Sequence, residues 1–438
     1  MTSTSETVIA GKPTLGEAMR VWAEIGILSF GGPAGQIALM HRMLVDERGW
    51  IDEQRFLHAL NFCMLLPGPE AMQLATYVGW RMHGTLGGLV AGLLFVLPGA
   101  LIILALSIAY ALYGDVPLVE AVFVGVKAAV LVIVVEALLR VARRALKRQA
   151  HWLIAAASFL AIFFFDVPFP LIIAAAAIIG FVALPELTAT PHISTVPISV
   201  ARTLRTVAIW LGIWILPLAL VALAFGTEHT LSDIALFFSK LAVVTFGGAY
   251  AVLAYMAQQA VETYGWLDAS EMLDGLGLAE TTPGPLILVT EFVGFLAGYR
   301  HGGQPALGFG ILAAVVTLWA TFAPCFLWIF AGAPYVERLS ANRKLAGALS
   351  GVTAAVVGVI LNLSLWFALH ALFAEVNVKW VGLLRLWSPD IATMHVTTLV
   401  LAFLAAILLL GLRWNILSTL AVTAFAALFL EFSYSALG

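Results

Sequence analysis

Three short signatures occur twice along the chain, and this repetition limits the fold more than any other feature of the sequence. Each half contains a Gly-Gly pair, a Gly-Trp pair and a Pro-Gly-Pro triplet, in that order: Phe30-Gly31-Gly32 and Phe246-Gly247-Gly248, Gly49-Trp50 and Gly265-Trp266, Pro67-Gly68-Pro69 and Pro283-Gly284-Pro285. The offset is 216 residues at all three places (246−30, 266−50 and 283−67). Because chance rarely keeps one spacing across three signatures, the sequence predicts one structural unit used twice.

The composition indicates that this unit lies in a membrane. Hydrophobic residues make up 62% of the chain and charged residues 11%, against roughly 45–50% and about 25% in soluble domains. We therefore expect an all-α polytopic membrane protein whose surroundings are the lipid bilayer. A net charge of −3, with no basic run interleaved with aromatic residues, argues against a nucleic-acid partner.

The predicted organisation follows from the repeat and from polar interruptions. We expect an N-terminal tail over 1–14, a first repeat over 15–184, a polar linker over 185–205, one unrepeated span over 206–226 and a second repeat over 231–438. The tail has no basic segment followed by an apolar one, so it is interpreted as a short tail and not as a signal peptide.

Basic residues predict the orientation of the two repeats. The run from Arg140 to Arg148 follows the second long span of the first repeat, whereas Arg338, Arg343 and Lys344 lie between the two long spans of the second repeat. Lys and Arg are enriched in cytoplasmic loops. The pattern is consistent with two inverted repeats if each broken helix pair is a re-entrant hairpin.

The glycine and proline signatures predict breaks in helices at membrane depth. Unpaired backbone groups in hydrocarbon cost several kcal/mol each, so irregular backbone is tolerated there only when it is buried in protein or lines a wet cavity. We expect the four breaks to meet at a cavity near the bilayer midplane. Each helix N-terminus carries roughly half a positive charge, so four of them would present on the order of +2, which suits a tetrahedral dianion.

Several polar side chains near these breaks are candidates for completing the site. Gln36 follows the first break, Glu70 and Gln73 follow the second, and Thr282 precedes Pro283. Glu70 opens a helix, where a carboxylate is favoured by the helix dipole, and it is also the candidate for proton coupling, since its protonation would relieve repulsion of a dianion. Both roles stay open for this residue.

Lys127 is a further candidate because it lies well inside an apolar span. A lysine at that depth is costly unless it faces a cavity or a carboxylate. It is therefore interpreted either as an anion contact or as part of a structural pair between helices.

The motifs FGGPAGQIALM, GWIDEQRF and LPGPEAMQLATYVGWRMHGTLGGLVAGLLFVLPG resemble the N-terminal half of the chromate ion transporter family, and the second half carries weaker versions. The resemblance implies a two-repeat carrier of the bacterial inner membrane that expels chromate, a sulfate-like dianion, and confers chromate resistance. A homodimer is left open. The motif positions that the resemblance carries over to substrate binding are Gly31, Gly32, Pro33, Gln36, Pro67, Gly68, Pro69, Glu70, Gln73, Gly247, Gly248, Pro283, Gly284 and Pro285.

Other functions are weighed against this one. A sulfate or molybdate carrier, used for uptake or export, is the nearest alternative, and an anion channel is a third, since broken helices also line pores. A membrane enzyme is disfavoured because the sequence contains no His-Glu-x-x-His, Gly-x-Ser-x-Gly or Walker A motif. No cofactor or metal is predicted, and Cys63 and Cys325 are interpreted as small core hydrophobes.

Overall fold

The computed structural model describes residues 13–114, 116–184, 199–246, 248–336 and 342–437. Within these ranges nearly all regular structure is helical, and six helices are long and apolar enough to cross a membrane. The prediction of an all-α polytopic membrane protein is confirmed. Gly247, Arg338, and most of the predicted tail and linker lie outside the described residues.

The first half alternates short helices with long ones. Its helices in the described part are α1 (Leu15–Leu28), α2 (Gly32–His41), α3 (Glu53–Cys63), α4 (Glu70–Tyr113), α5 (Pro117–Ala145), α6 (Gln149–Phe165) and α7 (Phe169–Ala183). Two residues inside α4, His83 (φ −133°) and Gly84 (φ +63°), leave the helical conformation. They divide α4 into a half-length piece and a full span.

The second half begins with the unrepeated span and then returns to the same alternation. Its helices in the described part are α8 (Val200–Phe225), α9 (Thr230–Val244), α10 (Ala249–Gln258), α11 (Ala269–Thr281), α12 (Val289–His301), α13 (Ala306–Gly332), α14 (Arg343–Leu372), α15 (Val396–Ala406) and α16 (Ile416–Leu437). Short turns of π-helix extend α2 over Arg42–Asp46, α10 over Gln259–Thr263 and α15 over Ile407–Gly411.

Residues 216 positions apart adopt matching local structure. Gly49 and Gly265 both have φ of +59°, a left-handed conformation that favours glycine. Asp52 caps α3 and Asp268 caps α11, each accepting a hydrogen bond from the backbone N–H three residues ahead. These matches are what two copies of one unit would produce. The inverted orientation of the repeats and their exact boundaries stay predictions.

Close helix packing builds the core around the breaks. Helix α1 packs against α4, α9 packs against α13, and α6 and α7 pack against α14. The contact of α7 with α14 depends on glycine, because a Cβ added to Gly180 would lie 2.2 Å from the carbonyl oxygen of Gly347. Small residues allow such close approach of backbones inside a membrane.

A β-hairpin that the sequence analysis did not predict separates α14 from α15. Strands β1 (Val376–Val381) and β2 (Leu384–Pro389) pair antiparallel. The hairpin is tied to the helices by Arg385, which lies 2.8 Å from Asp166 and 3.5 Å from Glu262.

Candidate functional site

Three of the four helix breaks line one cavity of about 180 Å³. A buried water needs only about 10–15 Å³ of such space, so the cavity has room for a small polyatomic ion. Its wall comes from the three breaks and from α5 and α14: Pro33, Ala34, Ile37, Cys63, Met64, Leu66, Gly68, Glu70, Ala137, Arg140, Val141, Arg144, Gly248, Ala249, Tyr250, Thr353 and Ile360.

Three helices begin at this cavity without a side-chain cap. They are α2, α4 and α10, whose N-cap residues are Gly31, Pro69 and Gly248. Gly31 has φ of +84° and Gly248 has φ of +101°, conformations that a side chain would strain. Uncapped N-termini leave backbone N–H groups for a ligand and carry partial positive charge. The glycines therefore give this part of the cavity an anion-binding character.

Two arginines near the C-terminus of α5 add full positive charge. Both nitrogen-to-oxygen distances from Arg140 Nη2 to the carboxylate of Glu136 are 2.5 Å. Arg144 instead places Nη2 3.4 Å from Met64 Sδ, a weak acceptor. Both arginines are exposed, so they lie at the opening of the cavity, and Arg144 has donors to spare for an anion.

A tyrosine links the cavity wall to a buried carboxyl group. Tyr250, in the first turn of α10, lines the cavity and donates its hydroxyl proton to Glu280 Oε1 at 2.6 Å. Glu280 is only 5% exposed and lies next to the last residue of α11. Glu280 does not line the cavity itself but is connected to it through the hydroxyl group of Tyr250.

The fourth break, over 282–285, lies away from this cavity. The N–H of Gly284 donates to the carbonyl oxygen of Ser29 at 2.9 Å, and its carbonyl oxygen accepts from Gln36 Nε2 at 2.6 Å. A Cβ added to Gly99 would lie 2.1 Å from the carbonyl oxygen of Pro283. These contacts hold the fourth break against α4 and against the first break.

The comparisons with known proteins agree with an anion site of this kind. A family model described as chromate transporter matches residues 16–181 and 232–430. The chain belongs to the chromate transporter family. The two matched regions lie inside the two repeats that the sequence predicts, and they place the transporter among transport proteins rather than enzymes.

Curated relatives cover most of the transporter. A probable chromate transport protein of Synechococcus elongatus is 32% identical over 351 residues, 79% of this chain and 83% of the relative. The chromate transport protein of Pseudomonas aeruginosa is 34% identical over 354 residues, 77% of each chain. That of Cupriavidus metallidurans is 29% identical over 367 residues, 79% of this chain and 81% of the relative. No solved structure matches the transporter.

The predicted site residues that the structure describes at the four breaks divide into three groups. Four line the cavity: Pro33, Gly68, Glu70 and Gly248. Gly31, Gly32, Pro67 and Pro69 belong to the same breaks, while Thr282, Pro283, Gly284 and Pro285 form the break that lies away from it. Gly247 lies outside the described residues.

The two predicted glutamines bind backbone rather than the cavity. Gln36 bonds to Gly284, as above, and Gln73 Nε2 donates to the carbonyl oxygen of Pro67 at 2.7 Å. Both are buried, and the Oε1 atom of each has no hydrogen-bond partner among the described residues. Their second-half counterparts at the 216 offset are Val252 and Val289, so these amide bonds exist in one repeat only.

Lys127 does not line the cavity, so the structure does not place it where an anion contact was expected. Its Nζ lies 2.5 Å from Ser270 Oγ and 3.5 Å from Asp274 Oδ2, on α11. Tyr110 also donates to Asp274, at 2.9 Å. These contacts favour a structural pair between helices, and the role of Lys127 stays a prediction.

Four residues at or beside the cavity are not among those predicted from sequence: Arg140, Arg144, Tyr250 and Glu280. From sequence, the run from Arg140 to Arg148 indicates the cytoplasmic side, although four-residue spacing puts Arg140 and Arg144 on one helix face. Tyr250 carries a local signal, because it directly follows a break. Glu280 does not, since its approach to the cavity depends on how α11 packs.

Proposed function

We propose that this chain is a secondary transporter that exports chromate across the bacterial inner membrane, coupled to the proton gradient, and so confers chromate resistance. The observation that carries the proposal is the cavity where α2, α4 and α10 begin and where Arg140 and Arg144 lie at the opening. Three N-termini contribute roughly +1.5 charges, and Arg144 adds one more when Glu70, which lines the same cavity, is protonated. This charge suits a dianion of the chromate or sulfate type, in line with the names of the relatives.

Two features support export as the direction of transport: the negative charge of the substrate and the side of the membrane on which the cavity opens. Arg140 and Arg144 belong to the basic run that the positive-inside rule assigns to the cytoplasm. An inside-negative potential drives two negative charges outward with about 4.6 kcal/mol per 100 mV. A cytoplasm-facing cavity loaded with a dianion is therefore the expected starting state of an exporter.

Glu70 supplies a first candidate for proton coupling. It lines the cavity in the first turn of α4. An ionised carboxylate there repels a dianion, and its protonation removes the repulsion, so proton and anion occupancy would be linked. The N-terminus of α4 favours the ionised form of the same group, which keeps its capping role as the alternative.

Two repeats inverted in the membrane would supply the conformational change. In such carriers one repeat rocks against the other around a site at their interface. The cavity fits this arrangement because its wall combines Pro33, Gly68 and Glu70 of the first repeat with Gly248 and Tyr250 of the second.

Chromate flux into everted vesicles tests the function directly. We expect accumulation that sulfate inhibits and that a protonophore collapses, and none in vesicles lacking the protein. Because the membrane potential alone drives a dianion, accumulation that does not change when only the pH gradient is removed would favour a channel or uniporter. Sulfate flux without chromate flux would favour the sulfate-carrier alternative, and absence of both would contradict the proposal.

A further inference from the structure

We infer that Glu280 is the proton site of this carrier. Protonation of Glu280 frees the Tyr250 hydroxyl to donate a hydrogen bond to the bound oxyanion. The inference rests on the proposed function and assigns its coupling proton to a residue that does not line the cavity. It starts from the 2.6 Å hydrogen bond in which Tyr250 donates to Glu280 Oε1.

A tyrosine hydroxyl has one proton to donate. While Glu280 is ionised, it accepts that proton, so Tyr250 turns only oxygen lone pairs toward an anion. Once Glu280 is protonated, the carboxylic O–H can donate to the Tyr250 oxygen, and the Tyr250 O–H is free to donate into the cavity that this residue lines. Protonation of Glu280 and binding of the oxyanion therefore favour each other.

The placement of Glu280 suits a group that gains and loses a proton. It lies next to the last residue of α11, where the partial negative charge of the helix C-terminus disfavours a carboxylate. Glu70 lies at a helix N-terminus, where the same effect favours the carboxylate. Of Glu70 and Glu280, only Glu280 lies at the helix end whose dipole opposes a permanent negative charge.

Charged groups on α5 complete the surroundings of this pair. Arg140 and Glu136 both act electrostatically on Glu280 and on Tyr250. Since Arg140 is bonded to both oxygens of Glu136, these two charges largely offset each other at Glu280. The proton balance is one proton gained by Glu280 for each oxyanion bound, with no covalent bond to the anion. The loaded site then carries one net negative charge, so it is the inside-negative potential that drives proton and anion outward together.

Proton uptake on sulfate binding tests the inference in purified full-length protein in weakly buffered detergent solution with a pH dye. Wild-type protein should take up about one proton per bound sulfate, and its affinity should fall roughly tenfold per pH unit once Glu280 is ionised. Glu280→Gln should bind sulfate with pH-independent affinity and take up no proton. Tyr250→Phe should bind sulfate roughly tenfold or more weakly, because a hydrogen bond to a charged group is lost.

Three variants serve as matched controls. Glu280→Asp should restore proton uptake, while Glu291→Gln, a buried carboxyl on α12, and Tyr255→Phe, on the same helix as Tyr250, should behave as wild type. Gel-filtration profiles and melting temperatures identify any variant that fails to fold.

The outcomes separate this inference from the proposed function. Unchanged proton uptake in Glu280→Gln, or uptake lost in Glu70→Gln instead, would overturn the inference and leave the oxyanion carrier standing. Loss of proton uptake in Glu291→Gln as well would also overturn the inference, because the effect would then not be specific to Glu280. Wild-type protein that binds neither sulfate nor chromate would overturn both.

Discussion

The backbone N–H of Gly68 donates a hydrogen bond to the carbonyl oxygen of Thr245 at 2.8 Å. The same bond occurs with the halves exchanged, from Gly284 to Ser29 at 2.9 Å, and both partners are displaced by 216 residues. The Pro-Gly-Pro break of each half is therefore held by the residue that precedes the Gly-Gly break of the other half. This exchange joins the Pro-Gly-Pro break of each half to the Gly-Gly segment of the other half.

Replacing Gly68 or Gly284 by Val should abolish chromate transport while membrane insertion is retained. Gly68 has φ of +119° and Gly284 has φ of +93°, where a side chain costs at least about 1–2 kcal/mol. A Cβ at Gly68 would also lie 2.8 Å from Gln73 Nε2 and 2.9 Å from Cys325 Sγ. The measurement is flux in everted vesicles at matched protein levels.

The control for these variants is Gly212→Val on α8. A Cβ added to Gly212 has no neighbour within 4 Å, so this variant should transport as wild type does. Normal transport by both Gly68→Val and Gly284→Val would contradict the role given to the breaks.

Arg144→Ala should weaken oxyanion binding by roughly 10–100-fold, because a hydrogen bond from a charged donor contributes about 1.5–3 kcal/mol. Arg143→Ala is the matched control, since Arg143 is adjacent on α5 but does not line the cavity. Sulfate affinity of the two purified variants measures the difference. Equal loss in both would mean that general surface charge, and not the cavity, attracts the anion.

The sequence predicts the breaks well because glycine and proline restrict the backbone locally, whatever surrounds them. Gly31, Gly68, Gly248 and Gly284 all have positive φ, at the predicted positions. Which breaks share a cavity is set by distant contacts, such as that of Gly99 with the fourth break, and no local pattern contains that information.

The β-hairpin and the arginines at the cavity were not predicted from sequence, for a different reason. The segment VNVKWV over 376–381 alternates apolar and polar residues at its start, as strands do, but the surrounding apolar helices outweighed this short signal. The basic run at the end of α5 was assigned to orientation alone, although a residue at a helix end near the interface can both mark the cytoplasmic side and line a cavity.

His41 lies outside the membrane spans, and its contribution to the stability of the folded protein should fall as pH rises. His41 ends α2, contacts Glu53 and lies 3.2 Å from Asp46. The hydrogen bond to Glu53 is the main cause that raises the pKa of His41 above its ordinary value. A raised folded-state pKa gives stability that is full below the unfolded value of about 6.5 and is lost as pH rises through the folded value.

His41→Ala checks this expectation through melting temperatures in detergent. The difference from wild type should be larger at about pH 5.5 than at about pH 8.5. His58→Ala, which removes an exposed imidazole on α3, controls for the substitution itself. A His41→Ala deficit that is the same at both pH values would refute the contribution of the charged imidazole.

The pair of Lys127 and Asp274 should behave as a structural unit rather than as part of the anion site. Their side chains are 18% and 5% exposed, so removing one partner leaves a buried charge and should cost about 3–5 kcal/mol. Lys127→Met should therefore destabilise more than the double variant Lys127→Met with Asp274→Asn, in which Tyr110 keeps a hydrogen-bond acceptor. Because neither residue lines the cavity, the double variant should bind sulfate as wild type does. A stable double variant that has lost sulfate binding would instead make Lys127 an anion contact.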